Sequence, residues 1–566
     1  MDKRKGALGI VLALLVFILC FGFLFAVSCD NDDRNKEEAD DDGNGDDDSW
    51  SSDDDGYGDD DGYGDDDGYG DDDGYGDDDS YGDDDGYGDD DSWGDDDDND
   101  DDNDTWGDDD DDDDDDTTPN LLECPEPGPP VSLFLSADDS NSQASPVIAR
   151  TIIRQGDLPP AGKIRTYEFT NYYQINYPAP DSGRIRIVPQ LRENPEAQFP
   201  GEYILQIGAQ SRFQRRDQGR RVNVVFSMDT SGSMQGEPIG LLRDVARAIT
   251  GQLREGDIVS IVDWDSVPNV ALSSHPVSGP NDPVVLAVID DLQSGGSTNL
   301  HAGLVRAYDL ATANYLPAGL NRVVLISDGQ ANTGNTDIDM IAAHAEDSEN
   351  EGIYLVGVGV GEAYSYYHDT LMDEVTDAGK GAYLYIDATA EANKQFGERF
   401  MENMELAAMN VRAELVMPWY LLMTDFYGEE VSPNPEEVEP QHLGPNDAMV
   451  YHQHIAPCDP QYLNDADEII ARAQYVHPTT RESMISIRRG TIAELLAAPA
   501  DQLIKGDAIV AYAEALKFIW EHQYGPEALA ECQRVKAKVA AAAELLSDAE
   551  LDEIVGLLAE VENILD

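Results

Sequence analysis

Between residues 222 and 404 the chain alternates continuous apolar runs with amphipathic ones, a rhythm that few folds accept. The apolar runs fall at 222–228, 258–262, 322–326, 353–360 and 382–386. Helical patterns lie between them at 239–253, 284–292, 300–313, 337–349, 366–376 and 391–404. Strands apolar on both faces need cover on both faces, which predicts a mostly parallel sheet wrapped by helices. Such doubly wound sheets take their ligands at the carboxyl ends of strands. The polar residues at those ends are oxygen donors. Asp229-Thr230-Ser231-Gly232-Ser233 leaves the first strand, Gly295-Gly296-Ser297-Thr298-Asn299 forms a glycine-loosened loop, and Ser327-Asp328-Gly329 ends the 322–326 run. An aspartate and two hydroxyls at alternate positions on a tight turn can point toward one spot. With Thr298 and Asp328 they supply two carboxylates and three hydroxyls, with no sulfur or imidazole. That donor set suits Mg2+, or Mn2+ or Ca2+, rather than zinc or copper.

D-x-S-x-S, a threonine in a G-G-S-T-N loop and S-D-G after a buried strand together resemble the metal-ion-dependent adhesion site of von Willebrand factor type A (VWA) domains. The resemblance implies that Ser231, Ser233 and Thr298 bind the ion by hydroxyl, directly or through water, with Asp229 and Asp328 mostly behind them. It implies an open coordination position for an Asp or Glu carboxylate of a partner protein, because neutral hydroxyl ligands leave the ion electrophilic. It also makes the short run 270–272 an antiparallel edge strand and puts Asp229 at the switch point of the sheet. An Asp-x-Ser turn alone is often only a helix N-cap. The three fragments in order, each at a strand end, carry the reading.

Other polar residues in the domain have plainer readings. Asp263 and Asp265 flank Trp264 and serve as loop solvation or as added charge near the site. His344 and His368 with Ser233 would be needed for a hydrolase triad, but the serine turn is not G-x-S-x-G and neither histidine has a motif around it.

Charge is unevenly placed. The net charge is −82, and 49 of the 117 acidic residues lie between Asp30 and Asp116 against only Arg34 and Lys36. Nucleic acid is excluded as a partner class, since binding it needs a basic footprint. Asp-Asp-Asp-Gly-Tyr-Gly recurs from Asp53 onward, and residues 108–116 are all aspartate. Residues 30–118 cannot bury enough apolar surface to offset ordering, so a disordered, self-repelling tether is expected there. Loose calcium capture by the repeats is the sharper alternative, but they lack the alternating apolar residue of calcium-binding nonapeptides.

Residues 1–29 begin with Lys3, Arg4 and Lys5 and run apolar from Gly6 to Val27, which reads as an export signal. Ala26-Val27-Ser28-Cys29 resembles a bacterial lipobox, in which the cysteine becomes lipidated, although Ala26 stands where leucine is usual. The apolar run also approaches the ~20 residues that span a bilayer, so an uncleaved anchor is the alternative. Both readings put the rest outside the cytoplasm, tethered to an envelope membrane. Of the other cysteines, a Cys124–Cys458 disulfide is one pairing open to an exported chain.

Gln155-Gly156-Asp157-Leu158-Pro159-Pro160 and the segment Arg165 to Tyr173 look like the N-terminal extension of YfbK-like bacterial VWA lipoproteins, with Tyr167 inserted before Glu168 and Tyr173 for phenylalanine. Residues 119–220 are expected to be β-rich. Residues 406–490 alternate like strands and read as a small β-sandwich that residues 131–220 complete, with the VWA domain, 221–405, inserted between. His452, His454, His442 and Cys458 lie near one another there in sequence, at spacings that match no established zinc pattern. Residues 491–566 are helical, with Gly525-Pro526 between two helices and Ser547-Asp-Ala-Glu550 as a capping box, and are expected to pack on the sandwich. The function expected is a non-enzymatic, metal-dependent protein-binding module. The alternatives are an assembly factor working with an ATPase and, less favoured for want of a general base, a metal-assisted hydrolase.

Overall fold

A computed structural model describes residues 122–138, 141–329, 352–361, 369–523 and 525–566. The export segment with Cys29, the acidic tract, the helical pattern at 337–349, and both His344 and His368 lie outside the described residues. Among the described residues no helix is long and apolar enough to cross a membrane.

The described residues open with β1 (Val131–Ser136), two helices, Ala144–Arg154 and Thr166–Tyr172, and then β2 (Ile185–Glu193) and β3 (Tyr203–Ser211). A second sheet follows, from β4 (Val222–Asp229), β5 (Ile258–Trp264), β6 (Pro268–Pro276), β7 (Leu320–Ser327), β8 (Tyr354–Val360) and β9 (Tyr383–Ile386). The chain then returns through β10 (Ala408–Met417), β11 (Leu421–Phe426), β12 (Glu430–Ser432), β13 (Gln441–Leu443), β14 (Ala448–Pro457), β15 (Glu468–Val476) and β16 (Ser483–Thr491).

The second sheet runs β6-β5-β4-β7-β8-β9, with only β6 antiparallel. β4 lies between β5 and β7, so Val225 stands opposite both Ser260 and Val323, and strand order reverses at this point. β4, β7 and β8 are buried along their whole length. Alternation in β4 explains this: Val224, Phe226 and Met228 meet the helix Glu237–Gln252 on one side, while Val225 faces the core holding Leu304 of the helix Leu300–Ala313 on the other. Fully burying a side chain such as Phe226 contributes about 1.5–3 kcal/mol. Two polar groups on the second side are paired: Trp264 Nε1 donates to Ser227 Oγ at 2.9 Å and Asn223 Nδ2 to the Ala311 carbonyl at 3.0 Å.

The remaining strands make two further sheets. One runs β12-β1-β10-β15-β16 with β13 paired to β10, and the other β11-β14-β3-β2. β1 pairs antiparallel with β10, Leu133 opposite Leu415, and β3 with β14, Ile207 opposite Tyr451. Their inward side chains share one apolar core, including Leu205, Ile207, Leu415 and Tyr451. The chain therefore leaves this sandwich after β3, builds the β4–β9 domain, and rejoins it at β10. Cys124 and Cys458 form a disulfide across 334 residues of sequence.

Several expectations need correction. Residues 119–220 are not simply β-rich, because Ala144–Arg154 and Thr166–Tyr172 are helices. The five residues 149–153, Ala-Arg-Thr-Ile-Ile, are too few for periodicity to separate a strand from a buried helix face. The expected helix at 391–404 is broken into Thr389–Asn393, a π turn over Lys394–Glu398, and Phe400–Met404. The last helix, Ala549–Leu565, is capped not by Ser547 but by Asp548, whose carboxylate accepts from the Glu550 and Leu551 N–H groups. Ser547 takes the left-handed turn that ends Pro526–Leu546. Finally, the C-terminal helices Asp501–Glu521, Pro526–Leu546 and Ala549–Leu565 do more than cover the sandwich. They share a core with Ile148, Ile152 and Phe169, which continues to Trp264 and Leu304 of the inserted domain.

Candidate metal centre

The carboxyl end of β4 is polar and buried. Asp229 and Ser231 are 0% and 1% exposed, and Ser233 is half-buried. The Ser231 N–H donates to Asp229 Oδ1 at 2.9 Å, and the Ser231 and Ser233 hydroxyls are 3.0 Å apart, which puts both on one side of the turn. Met234 closes that turn by entering the apolar core, and Glu237–Gln252 starts immediately after it with Pro238 in its first turn. On the neighbouring strand end, Ser327 Oγ donates to Asp229 Oδ2 at 2.7 Å and accepts from the Gly329 N–H at 3.1 Å. Asp328 follows, 5% exposed.

The third loop is laced to the first. The Gly232 N–H donates to the Gly296 carbonyl at 3.1 Å and the Gly295 N–H to the Thr230 carbonyl at 2.8 Å. Thr230 in turn donates its N–H and hydroxyl to the Trp264 carbonyl, at 2.8 and 3.1 Å. Gly296 has φ +80°, and a Cβ there would stand 2.5 Å from Asp265 Oδ2, so only glycine fits. Two residues on, Thr298 is 2% exposed, and Asn299 caps the helix Leu300–Ala313 through its side chain.

Burial pushes the Asp229 carboxyl up to about 6; hydrogen bonds from Ser231 and Ser327 pull against this, and the charge of Asp328 adds to it. A divalent cation placed here would relieve both the desolvation and the like-charge repulsion. Among the described residues no three His, Cys, Asp or Glu side chains are gathered for a metal. The donor set here is instead two carboxylates with hydroxyls, which fits a hard cation and not a thiophilic one.

The residues singled out from sequence thus divide by how they are tied. Asp229, Ser231 and Ser233 are linked directly, Asp328 comes in beside Ser327, and Thr298 belongs to the loop bonded to the Thr230–Gly232 turn. Ser327 was missed as a site residue, although the β4–β7 register, with Met228 opposite Ile326, puts it level with Asp229. Asp263 instead accepts from Asn269 Nδ2 at 2.9 Å, and Asp265 packs under Gly296. The histidines of the sandwich are taken up separately. His452 Nδ1 is 2.8 Å from Gln206 Oε1, His442 Nε2 is 3.2 Å from the Tyr354 hydroxyl, and Cys458 is in the disulfide, so no zinc site forms there.

Residues 224–330 match the family model described as von Willebrand factor type A domain. The uncharacterized protein YfbK of Escherichia coli (strain K12) is 30% identical over 293 residues, which are 50% of this chain and 50% of that protein. Human inter-alpha-trypsin inhibitor heavy chain H2 is 28% identical over 185 residues, 31% of this chain and 19% of that protein. The chain spans about half or less of the length of these relatives. A solved von Willebrand factor type A structure from Catenulispora acidiphila is similar with a TM-score of 0.43 and 15% identity, covering 68% of this chain and 97% of that one. Residues 224–330, in the β4–β9 sheet, are thus a von Willebrand factor type A domain, and the chain is similar to YfbK over half its length.

Proposed function

We propose that the protein is a non-enzymatic binding module in which a Mg2+ ion, or Mn2+ or Ca2+, joins it to a protein partner. Ser231, Ser233 and Thr298 would hold the ion by their hydroxyls, and Asp229 and Asp328 would supply the negative charge behind them. A bound cation offers a partner's Asp or Glu carboxylate a place in its shell, because hydroxyl donors neutralise little of its charge. The observation that carries this reading is the lacing of three loops around Asp229, through Ser327 Oγ, the Ser231 N–H and the Gly232–Gly296 bond. VWA domains mediate protein–protein contact, which agrees with it.

We also infer that the protein lies outside the cytoplasm, tethered to an envelope membrane through lipidated Cys29 or an uncleaved anchor, with the acidic repeats as a spacer. The Cys124–Cys458 disulfide supports this, since such bonds persist in oxidising compartments. Pulldown from an envelope fraction tests the binding reading. Capture should require Mg2+ or Mn2+, vanish with EDTA and vanish in Ser231→Ala; capture that survives both would refute it. Labelling with radioactive palmitate tests the anchor, which should be lost in Cys29→Ser.

A further inference from the structure

Six strands end the three sheets: β12 and β16, β11 and β2, β6 and β9. A free sheet edge is a template for another strand, and proteins blunt it by shortness, a bulge, a proline or a cover. Five of these six are blunted. β12 has three residues, and β11 breaks register between Met423 and Asp425. β2 carries Pro189 in its middle, and β6 breaks register twice, with Ser274 in the left-handed region at φ +51°. β9 has four residues, and the Gln143 N–H already donates to its Tyr383 carbonyl at 2.8 Å.

β16 is neither short, bulged, interrupted by proline nor covered. It runs nine residues against β15 in unbroken register, from Glu468 opposite Thr491 to Val476 opposite Ser483, and among the described residues it pairs with no other strand. An open cleft lies between Ser486, Ile487 and Arg488 on one side and Asp181, Ser182 and Arg186 on the other. Met484 packs on the sandwich core and Gly490 is buried, so alternation turns Ile485 and Ile487 out to solvent, 53% and 47% exposed. The charges gather at the two ends, with Glu482 just before the strand and Arg488 and Arg489 near its close.

This pattern is complementary to itself read backwards. Opposite residues of an antiparallel pair share a face, so a twofold axis through Ser486 sets Ile485 against Ile487 of a second copy, and does so twice. The same axis puts Arg488 diagonal to Glu482 of the second copy, a separation that long side chains bridge. The charges that would discourage an unrelated strand therefore fix the register of a self-pair.

We propose that β16 is a self-association edge, through which two copies of the chain join antiparallel and continue the β12-β1-β10-β15-β16 sheet across the twofold. A dimer carries two metal centres and gains avidity for a repeated ligand; that consequence alone rests on the metal reading above.

Sedimentation equilibrium and hydrogen exchange of the full chain at several concentrations test this, in about 0.15 M salt, where exposed charges more than ~8 Å apart are screened. The mass should move from one chain toward two as concentration rises. Exchange in 484–489 should slow in step, while β14 keeps its rates. Ile485→Lys with Ile487→Lys alters two exposed side chains and leaves the core intact. It should raise the dimer dissociation constant roughly tenfold or more, because it sets like charges where both isoleucine pairs met. Arg488→Glu should weaken the dimer too, and Arg488→Glu with Glu482→Arg should restore it, a rescue that only contact between opposite copies predicts. The proposal is overturned if the mass stays that of one chain at every concentration, or if the lysine pair leaves a dimer as tight as wild type. It is equally overturned if the exchanged charges fail to rescue, or if 484–489 slows only when another envelope protein is added.

Discussion

Ser327→Ala is the most direct probe of the metal centre, because it removes one oxygen and leaves every proposed ligand in place. In the folded protein the Ser327 hydroxyl donates to Asp229 Oδ2 at 2.7 Å and accepts from the Gly329 N–H at 3.1 Å. A hydrogen bond to a charged group contributes about 1.5–3 kcal/mol, and the partner here is fully buried. Loss of an outer partner of a metal ligand lowers metal affinity about 10–100-fold, which is about 1.4–2.8 kcal/mol, so the two routes to the magnitude agree. Bulk calorimetry would not separate the site from the 49 acidic residues between Asp30 and Asp116. The assay is therefore local: a Mn2+ titration of the full chain, read by amide exchange in 229–235. The midpoint should move 10–100-fold to higher Mn2+ in Ser327→Ala, and no protection should remain in Asp229→Ala. A Ser327→Ala midpoint within twofold of wild type would refute the arrangement drawn around Asp229.

Reduction of the Cys124–Cys458 bond frees a loop of 334 residues, for which chain entropy gives an upper figure of about 6 kcal/mol. Reduced protein and Cys458→Ser should both melt several degrees lower than oxidised wild type, and superimposable melts would contradict this. Burial and the neighbouring Asp447 push the Glu402 carboxyl up to about 8, against Arg399. The folded state keeps a proton that the unfolded chain releases above 4.5, so stability should fall as pH rises from there to about 8 and then level off. The slope in that window is at most about 1.4 kcal/mol per pH unit, and urea melts of Glu402→Gln should lack it. A Cβ on Gly303 would stand 2.4 Å from Trp264 Cδ1, and that indole is fixed by its bond to Ser227. Gly303→Ala should cost about 1–3 kcal/mol in denaturant melts and weaken Mn2+ protection of 229–235, because the Trp264 carbonyl holds Thr230.

The parallel sheet was legible because its strands are apolar on both faces, a pattern that helices rarely sustain without interruption. The five ligand candidates were legible because each lies where a strand or glycine loop ends, and resemblance supplied their roles. Ser327 was not, since its part depends on strand register, which periodicity does not reveal. Ala144–Arg154 hid for a different reason: its buried face is contributed by distant C-terminal helices, so nothing local marks it. The break at Lys394–Glu398 likewise has its partners, Arg150 and Glu550, more than 150 residues away on either side. Capping by Asp548 instead of Ser547 was a one-residue slip between two residues that both make good caps.

The threading of one domain through another sets a timetable for synthesis. β1 finds its neighbour β10 only after residue 417 has been made, and β3 waits for β14 and residue 457. Until then the amino-terminal strands expose unpaired backbone, a template for association between nascent copies. The VWA sheet needs nothing that follows Ile386 to complete its own ladder. It can assemble first and bring its two ends together, so that the late strands close onto the early ones over a short gap instead of across nearly two hundred residues of loose chain.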